Sequence, residues 1–256
     1  MLGFIGAGNM AQAIVKGILK SGFYPASDII MSATSERTID GVRVTTNNDE
    51  VIALSDTVII SVKPQMAAAV LSKLKVSTPS PLFISVMAGL TTDKVESFFS
   101  NKICLVRAMP NTPAQVQMGC TVLSKGTHAD DEDMTMATRI FECVGTVTVV
   151  KEGLIDAASA ISGCGPAYFY MIIEALSDAG VKAGLPRKEA LKLATQTALG
   201  SAQMIIDSGK HPAELKDMVT SPAGTTIAAL SVLEDYSVRA AFINAVEAAV
   251  ERSKEL

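Results

Sequence analysis

The sequence predicts an α/β domain with a doubly wound, mostly parallel sheet, followed by an all-α domain. Three observations predict this class. Short apolar segments alternate with amphipathic ones as far as about residue 150, strand signals disappear after Lys151, and a glycine-rich turn separates the first strand from the first helix. The composition shift near Lys151–Gly153 places the boundary between a domain at 1–151 and a domain at 152–256.

The first domain is predicted from its alternating elements, taken in order. Continuous apolar segments such as Val58–Ile60 suit a parallel sheet covered on both faces. The predicted strands are Leu2–Ile5, Ile29–Ser32, Val42–Thr45, Thr57–Ser61, Leu82–Ser85, Ile103–Arg107, Thr121–Leu123 and Thr146–Val149. The predicted helices are Asn9–Lys20, Asp49–Leu54, Gln65–Leu74, Thr92–Phe99 and Asp130–Cys143. The less regular strands after Ala108 are expected to extend or edge the sheet.

The second domain is predicted from helical periodicity and end signals. Pro166 and Pro186 suit the first turn of a helix, while Gly184 and Gly209 suit a helix end. Small residues along these helices allow close packing, so this half is also expected to form the oligomer. Its predicted helices are Leu154–Ser162, Pro166–Ala183, Arg187–Ser208, Pro212–Val219, Thr225–Leu233 and Ser237–Glu255.

Composition narrows the class of protein. The chain is 48% hydrophobic with a mean hydropathy of +0.34, yet no apolar run approaches the roughly 20 residues of a bilayer span. The surplus apolar surface therefore predicts a subunit interface. A net charge of -4 gives no general attraction to nucleic acid or to anionic membrane, so neither is expected as a partner.

Cysteine and histidine usage predicts no metal site. The four cysteines form no CxxC pair, and the two histidines form no zinc-ligand cluster with them. Each cysteine is expected to be a small buried apolar residue in a reducing compartment. The first strand begins at residue 2, which leaves no room for a leader, so the expected location is the cytoplasm.

The opening turn, Gly6-Ala7-Gly8, predicts a dinucleotide site. Gly6 allows the turn, Gly8 lets the backbone approach a pyrophosphate, and Ala11 lets helix and strand lie close. The amides near Asn9 and Met10 would face the phosphates with the positive end of the helix dipole. An ordinary tight turn between strand and helix remains the alternative.

The segment after the second strand favours NADP over NAD. It reads Ser32-Ala33-Thr34-Ser35-Glu36-Arg37, where an NAD-selective site would place a carboxylate for the ribose. Hydroxyl donors and a guanidinium suit a 2′-phosphate, and Glu36 falls later than the ribose-binding acid usually does. NADH remains possible, and a solvated Ser/Thr turn is the alternative interpretation.

Other strand ends and two turns in the helical half add candidates. Ser61–Pro64, Met87–Gly89 and Arg107–Pro113 follow strands, and Asn111 and Thr112 are candidates for the wall of a nicotinamide pocket. The turns at 162–168 and 221–226 each lead into a helix, and free amides there can bind a carboxylate. Capping by a Ser/Thr pair is the alternative.

No nucleophile or catalytic acid stands out, whereas hydride transfer requires none from the protein. A β-hydroxyacid dehydrogenase would rely on a helical lysine, but Lys182, Lys188 and Lys192 follow no recognisable motif. A non-catalytic dinucleotide sensor is the third hypothesis.

The motifs taken together resemble the pyrroline-5-carboxylate reductase family. They are GFIGAGNMA near the start, SVKPQ at 61–65, RAMPNTP at 107–113, ISGCGPAYFY at 161–170 and LKDMVTSPAGTTIAAL at 215–230. The resemblance implies a Rossmann domain, a helical domain that interlocks into a homodimer, and decamers built as a pentamer of dimers. It implies reduction of the ring C=N of pyrroline-5-carboxylate by NADPH or NADH, giving L-proline.

The resemblance also implies residue roles. The pyrophosphate would lie on Ile5, Gly6, Ala7, Gly8, Asn9 and Met10; the adenosine near Thr34, Glu36 and Asn48; and the nicotinamide beside Ser61, Val62, Lys63, Pro64, Val86, Met87 and Ala88. The substrate carboxylate would lie on Ser221, Pro222, Ala223, Gly224, Thr225 and Thr226, with the Thr226 hydroxyl on the ring nitrogen as the catalytic group.

Two positions depart from the family pattern. Cys164 stands where the family usually has serine, and Ala223 where it usually has glycine. Both substitutes are small, so the turns are expected to survive, although alanine disfavours positive φ.

Overall fold

The protein forms two compact units in a computed structural model that describes residues 1–35, 39–76 and 80–254. The first unit comprises Met1–Cys164 with the C-terminal residues from Ala249, and the second comprises Gly165–Ala248. This division falls later than the composition shift because the helix that follows the last strand packs on the sheet. The domain boundary between 151 and 152 stays a prediction, since only independent folding of each part would test it.

The first unit is built on one eight-stranded sheet. Its strands are β1 (Leu2–Ile5), β2 (Ile29–Ser32), β3 (Arg43–Thr45), β4 (Thr57–Ile60), β5 (Leu82–Ser85), β6 (Cys104–Met109), β7 (Gly119–Lys125) and β8 (Gly145–Val149). The strand order is β3-β2-β1-β4-β5-β6-β7-β8, in which only the β6–β7 pair is antiparallel. The predicted doubly wound, mostly parallel sheet is confirmed, and β7 and β8 extend it.

Helices cover both faces of this sheet. They are α1 (Asn9–Ser21), α2 (Asn48–Leu54), α3 (Ala67–Leu71), α4 (Thr92–Glu96), α5 (Asp131–Glu142) and α6 (Ile155–Ser162). One core cluster joins α1 and α5 to strand residues such as Phe4 and Ile59, and the other joins α2, α3 and α4 to residues such as Ile60 and Phe83. Adjacent strand residues belong to different clusters because side chains alternate across a sheet.

Local sequence sets the ends of these helices. Gly22 ends α1 with φ 72°, and its amide donates to the Ile18 and Leu19 carbonyls. The Asp130 carboxylate accepts from the amides of Glu132 and Asp133, while the Asp133 carboxylate accepts from the Asp130 amide. This reciprocal capping box fixes the start of α5.

The prediction of one helix over Gln65–Leu74 is wrong. Pro64–Met66 forms a 3-10 turn and α3 covers only Ala67–Leu71, because the amides of Lys73 and Leu74 bond to carbonyls three residues back, as in a 3-10 helix. The helix predicted over Thr92–Phe99 is likewise shorter and ends at Glu96.

The expectation that the cysteines are buried is also wrong. Cys104, Cys120 and Cys143 are half-buried, and Cys164 is exposed. Partial burial, reinforced by Asp133, raises the pKa of the Cys104 thiol. All four cysteines are free.

The second unit is helical throughout. It holds α7 (Gly165–Lys182), α8 (Arg187–Ser208), α9 (Pro212–Met218), α10 (Thr225–Asp235) and most of α11 (Val238–Ser253). Among the described helices, none combines the length and apolar composition needed to cross a bilayer.

This helical unit has almost no core of its own. Across Gly165–Ala248, all of which the structure describes, the only buried residues are Gly165, Ser177, Ala190 and Ala194. Large apolar side chains remain exposed instead, among them Phe169, Leu193, Ile206, Val232 and Tyr236. A surface of this kind requires a partner to cover it.

A strained turn leads into α10. The Gly224 amide donates to the Ser221 carbonyl at 3.1 Å, which closes a four-residue turn with Pro222 and Ala223 at its centre. Ala223 has φ 55°, so the turn is type II and places alanine where glycine is favoured. The turn survives the departure at Ala223, as expected, at the cost of about 1–2 kcal/mol that a left-handed L-residue carries.

We expect Ala223→Gly to stabilise the protein by about 0.5–1 kcal/mol, since the strain it relieves exceeds the added chain entropy of glycine. Thermal unfolding at fixed protein concentration measures this. The matched control, Ala228→Gly within α10, should destabilise by about 1 kcal/mol. A lower melting temperature for Ala223→Gly than for the wild type would contradict the strain.

Candidate functional site

The parallel strands bring the predicted nucleotide-binding segments to one edge of the sheet. In the pairing register, Ile5 lies beside Ser32 and Ile60, and Ile60 lies beside Ser85. The carboxyl ends of β2, β1, β4 and β5 therefore lie side by side, and the segments that follow them meet there. Ligands of open α/β sheets bind at this edge, where the strand order reverses between β1 and β4.

The glycine turn fits tightly against the end of β4. The Ser61 amide donates to the Ile5 carbonyl at 2.8 Å. Gly6 has φ 98°, and a Cβ there would lie 2.6 Å from the Ser61 carbonyl oxygen. Glycine is therefore required at this position by both conformation and space.

The start of α1 is open to a ligand. Gly8 caps the helix with extended backbone and no side-chain hydrogen bond, and a Cβ on Gly8 would meet nothing within 4 Å. The amides at the start of a helix lack intrahelical partners. Exposed Asn9 and half-buried Met10 follow, whereas Ile5 and Ala7 are buried, so only their backbone faces this space. The arrangement fits a pyrophosphate.

The segment predicted to contact the adenosine lies partly within the residues that the structure describes. Ser32 is buried and accepts from the Gly6 amide at 3.3 Å, whereas Thr34 is exposed. Glu36 and Arg37 lie outside the described residues. Asn48 begins α2 and lines a cleft of about 440 Å³ together with residues of α3.

The segments after β4 and β5 surround the predicted nicotinamide position. Ser61, Val62 and Pro64 are half-buried, and Lys63 is exposed. The Val86 amide donates to the Ile60 carbonyl at 3.0 Å, half-buried Val86 follows the strand, and Ala88 is exposed. The Met87 side chain belongs to the core and is 1% exposed, so Met87 offers only its backbone to a ligand.

The turn at 221–226 presents unpartnered groups at the start of α10. Gly224 caps α10 without a side-chain hydrogen bond, so the alternative of capping by a Ser/Thr pair is wrong here. Thr226 is half-buried, while Ser221, Pro222, Ala223 and Thr225 are exposed. A Cβ on Gly224 would overlap the Ser221 hydroxyl, which would have to rotate away.

Asn111 has a structural role rather than a free amide. Its Nδ2 donates to the Ser162 carbonyl at 2.9 Å, and its Oδ1 accepts from the Cys120 amide at 2.9 Å. The prediction that Asn111 walls the nicotinamide pocket is unsupported, because both ends of its amide bond within the protein.

Sequence reasoning missed an ionic cluster beneath this edge of the sheet. Arg107 of β6 is 3% exposed, and its guanidinium contacts Glu152 and Asp156. An arginine within an otherwise apolar strand was the signal that could have revealed it. In the described part of the chain, no group of three or more His, Cys, Asp or Glu side chains is arranged to hold a metal.

Comparisons with known proteins agree with this architecture. Residues 152–256 match the profile described as pyrroline-5-carboxylate reductase dimerisation, and residues 1–89 match that of the coenzyme F420-dependent NADP oxidoreductases. The chain is 44% identical over 262 aligned residues to the pyrroline-5-carboxylate reductase of Methanosarcina acetivorans, covering 100% of this chain and 97% of that protein.

Solved structures show the same relationship. The pyrroline-5-carboxylate reductase of Coxiella burnetii aligns with a TM-score of 0.94 and 38% identity over 99% of this chain and 97% of that one. The pyrroline carboxylate reductase of Plasmodium falciparum, solved with NADP bound, aligns with a TM-score of 0.90 and 36% identity, with the same coverage of both chains. This chain belongs to the pyrroline-5-carboxylate reductase family.

Proposed function

We propose that this protein reduces 1-pyrroline-5-carboxylate to L-proline, the last step of proline synthesis, with NADPH as the reductant and NADH as a possible substitute. Its full-length similarity to pyrroline-5-carboxylate reductases carries the proposal. In the reaction, a hydride adds to the ring carbon of the C=N bond and a proton resides on the nitrogen. The bound dihydronicotinamide supplies that hydride and leaves as the oxidised nucleotide.

The glycine turn holds the nucleotide in this proposal. Gly8 leaves the backbone accessible, and the amides of Asn9 and Met10 bind the pyrophosphate with the positive end of the α1 dipole. Thr34 and Glu36 contact the adenosine ribose, Asn48 borders the adenine, and the segments at 61–64 and 86–88 flank the nicotinamide.

The turn at 221–226 holds the imine. The uncapped amides at the start of α10 bind the carboxylate, where the helix dipole favours an anion. The Thr226 hydroxyl oxygen accepts a hydrogen bond from the protonated ring nitrogen and orients the imine, whose carbon is electrophilic because the nitrogen is protonated. Thr226 needs no unusual acidity for this role, because it orients a proton rather than supplying one.

The structure favours neither of the two alternative functions, a hydroxyacid dehydrogenase and a non-catalytic sensor. Lys182, Lys188 and Lys192, the lysines a hydroxyacid dehydrogenase would need, are exposed on their helices. A non-catalytic sensor would be expected to have a blocked substrate turn, whereas Ser221 and Thr225 are exposed.

The proposal also covers the oligomeric state and the cellular location of the protein. The match to a dimerisation profile and the uncovered helical unit support a homo-oligomer. We propose a homodimer whose dimers further assemble into a decamer. We also propose a cytoplasmic location, which the four free cysteines support.

We expect Gly8→Ala to weaken NADPH binding at least about tenfold, or about 1.4 kcal/mol, because its methyl group occupies the space where the pyrophosphate approaches. The melting temperature should stay near that of the wild type, since the Cβ meets no protein atom. Titration of NADPH fluorescence measures the Kd. Gly153→Ala, at an equally open position, is the control and should bind normally. Unchanged affinity in Gly8→Ala would exclude the proposed pyrophosphate position.

We expect Thr226→Ala to lower kcat/KM for pyrroline-5-carboxylate by a factor equivalent to about 1–3 kcal/mol, the value of one such hydrogen bond, with the Kd of NADPH nearly unchanged. Thr226→Ser should recover most of the loss because it keeps the hydroxyl. Thr197→Ala, on the exposed surface of α8, controls for a generic threonine change. Wild-type kcat/KM in Thr226→Ala would refute the proton-orienting role.

We expect Leu193→Lys to shift the protein from dimer toward monomer, since a charge replaces an apolar side chain that is 57% exposed within one chain. Sedimentation velocity across a concentration series measures the shift. Gln196→Lys adds the same charge at an exposed polar position of α8 and should leave the assembly intact. Equal behaviour of the two variants would contradict an interface at Leu193.

A further inference from the structure

A buried arginine joins three segments of the first unit. The Arg107 Nη1 donates to the Glu152 Oε1 at 2.9 Å, and its Nη2 lies 3.6 Å from the Asp156 Oδ1. The same Glu152 oxygen accepts from the Thr92 amide at 3.0 Å. Strand β6, the start of α4 and the 3-10 turn that precedes α6 therefore meet at one carboxylate.

The segment held at Thr92 continues the proposed nicotinamide loop. Thr92 begins α4 directly after the residues that follow β5, which include Val86 and Ala88. Thr92 is itself buried, so its amide needs a hydrogen-bond partner within the protein. Glu152 thus fixes the far end of the loop whose near end is fixed by β5.

Helix α6 is held at both ends by the same strand and its following loop. Arg107 contacts Asp156 in the first turn of α6, and Asn111, just beyond β6, bonds the Ser162 carbonyl in its last turn. Glu152 lies in the 3-10 turn immediately before α6, and this helix cannot shift along the sheet without breaking contacts at both ends.

The ionic cluster of Arg107, Glu152 and Asp156 is not explained by a contribution to the stability of the fold. The Arg107 Nε and the Glu152 Oε2 are buried and have no hydrogen-bond partner within the described residues. Buried ion pairs with unsatisfied atoms are often no more stable than apolar replacements. A role in positioning Glu152 explains the buried charge of Arg107 better than a role in stability does.

We propose that Arg107 is a positioning residue for hydride transfer, which holds Glu152 so that the loop at residues 86–91 keeps the nicotinamide in the orientation that hydride transfer requires. This inference rests on the proposed function. Arg107 contacts neither reactant in this role; it acts through Glu152 and the Thr92 amide.

The test compares Arg107→Met, Arg107→Lys and the double variant Arg107→Met/Glu152→Gln with the wild type. The double variant removes both charges and keeps the inference testable if Arg107→Met fails to fold because Glu152 is left unpaired. Arg107→Lys keeps the charge but cannot reach both carboxylates with one planar fork, so it should recover only part of the activity. Arg43→Met removes an arginine paired with Glu50 at the surface and is the matched control.

We expect kcat to fall about 10- to 100-fold in the folded double variant, as for a small misplacement of reacting groups, with KM for the imine and Kd for NADPH changed far less. The deuterium isotope effect with NADPH labelled at the transferred position should rise, because hydride transfer becomes slower relative to the other steps. Hydrogen exchange over 86–96 should be faster than in Arg43→Met.

Two results would overturn the inference. One is a folded double variant with wild-type kcat and isotope effect, even if its melting temperature falls; the other is unchanged exchange over 86–96. If the wild type itself does not reduce pyrroline-5-carboxylate, the proposed function fails, and the exchange measurement alone decides whether Arg107 fixes this loop.

Discussion

The contact between the first glycine turn and the end of β4 constrains the whole first unit. Gly6 must adopt a positive φ, and its Cα must approach the Ser61 carbonyl too closely for any side chain. With this approach, β1 and β4 pair in register and α1 starts at the sheet edge. Two residues after Gly6, the backbone of Gly8 is open, since a Cβ there would meet nothing within 4 Å. The proposed nucleotide position thus depends on packing between two strand ends.

The helical unit differs from the first unit, because it leaves apolar surface uncovered. Helices α7 and α8 pack together, yet the buried positions across 165–248 are small residues such as Ala190 and Ala194. Burial of apolar area is the main source of folding free energy, about 25 cal/mol per Å². A unit that buries so little cannot be stabilised by its own core, so its folding is linked to assembly with another copy. The strained Ala223 adds a further local cost within the same unit.

Much of the fold could be predicted because its determinants are local. Leu2–Ile5, Ile29–Ser32 and Leu82–Ser85 are strands within the bounds that their apolar runs predict. The exact ends of α3 and α4 could not be predicted, because beyond them amides such as those of Leu74 and Phe99 bond to carbonyls three residues back, a change that the apolar pattern does not mark. Candidate residues were found where a motif is contiguous, as at Gly6 and Gly8. The burial of the Met87 side chain could not be predicted, because it depends on packing against distant residues of the core.

The sequence by itself determined the fold class, the glycine turn and the two kinds of domain, because periodicity and turn chemistry act between neighbouring residues. Tertiary structure decided what distant residues do together. The Arg107–Glu152 pair joins positions 45 residues apart, and Asn111 bonds Ser162 across 51 residues. Such contacts leave no local pattern, since they arise only when strand register and helix packing place the two partners side by side.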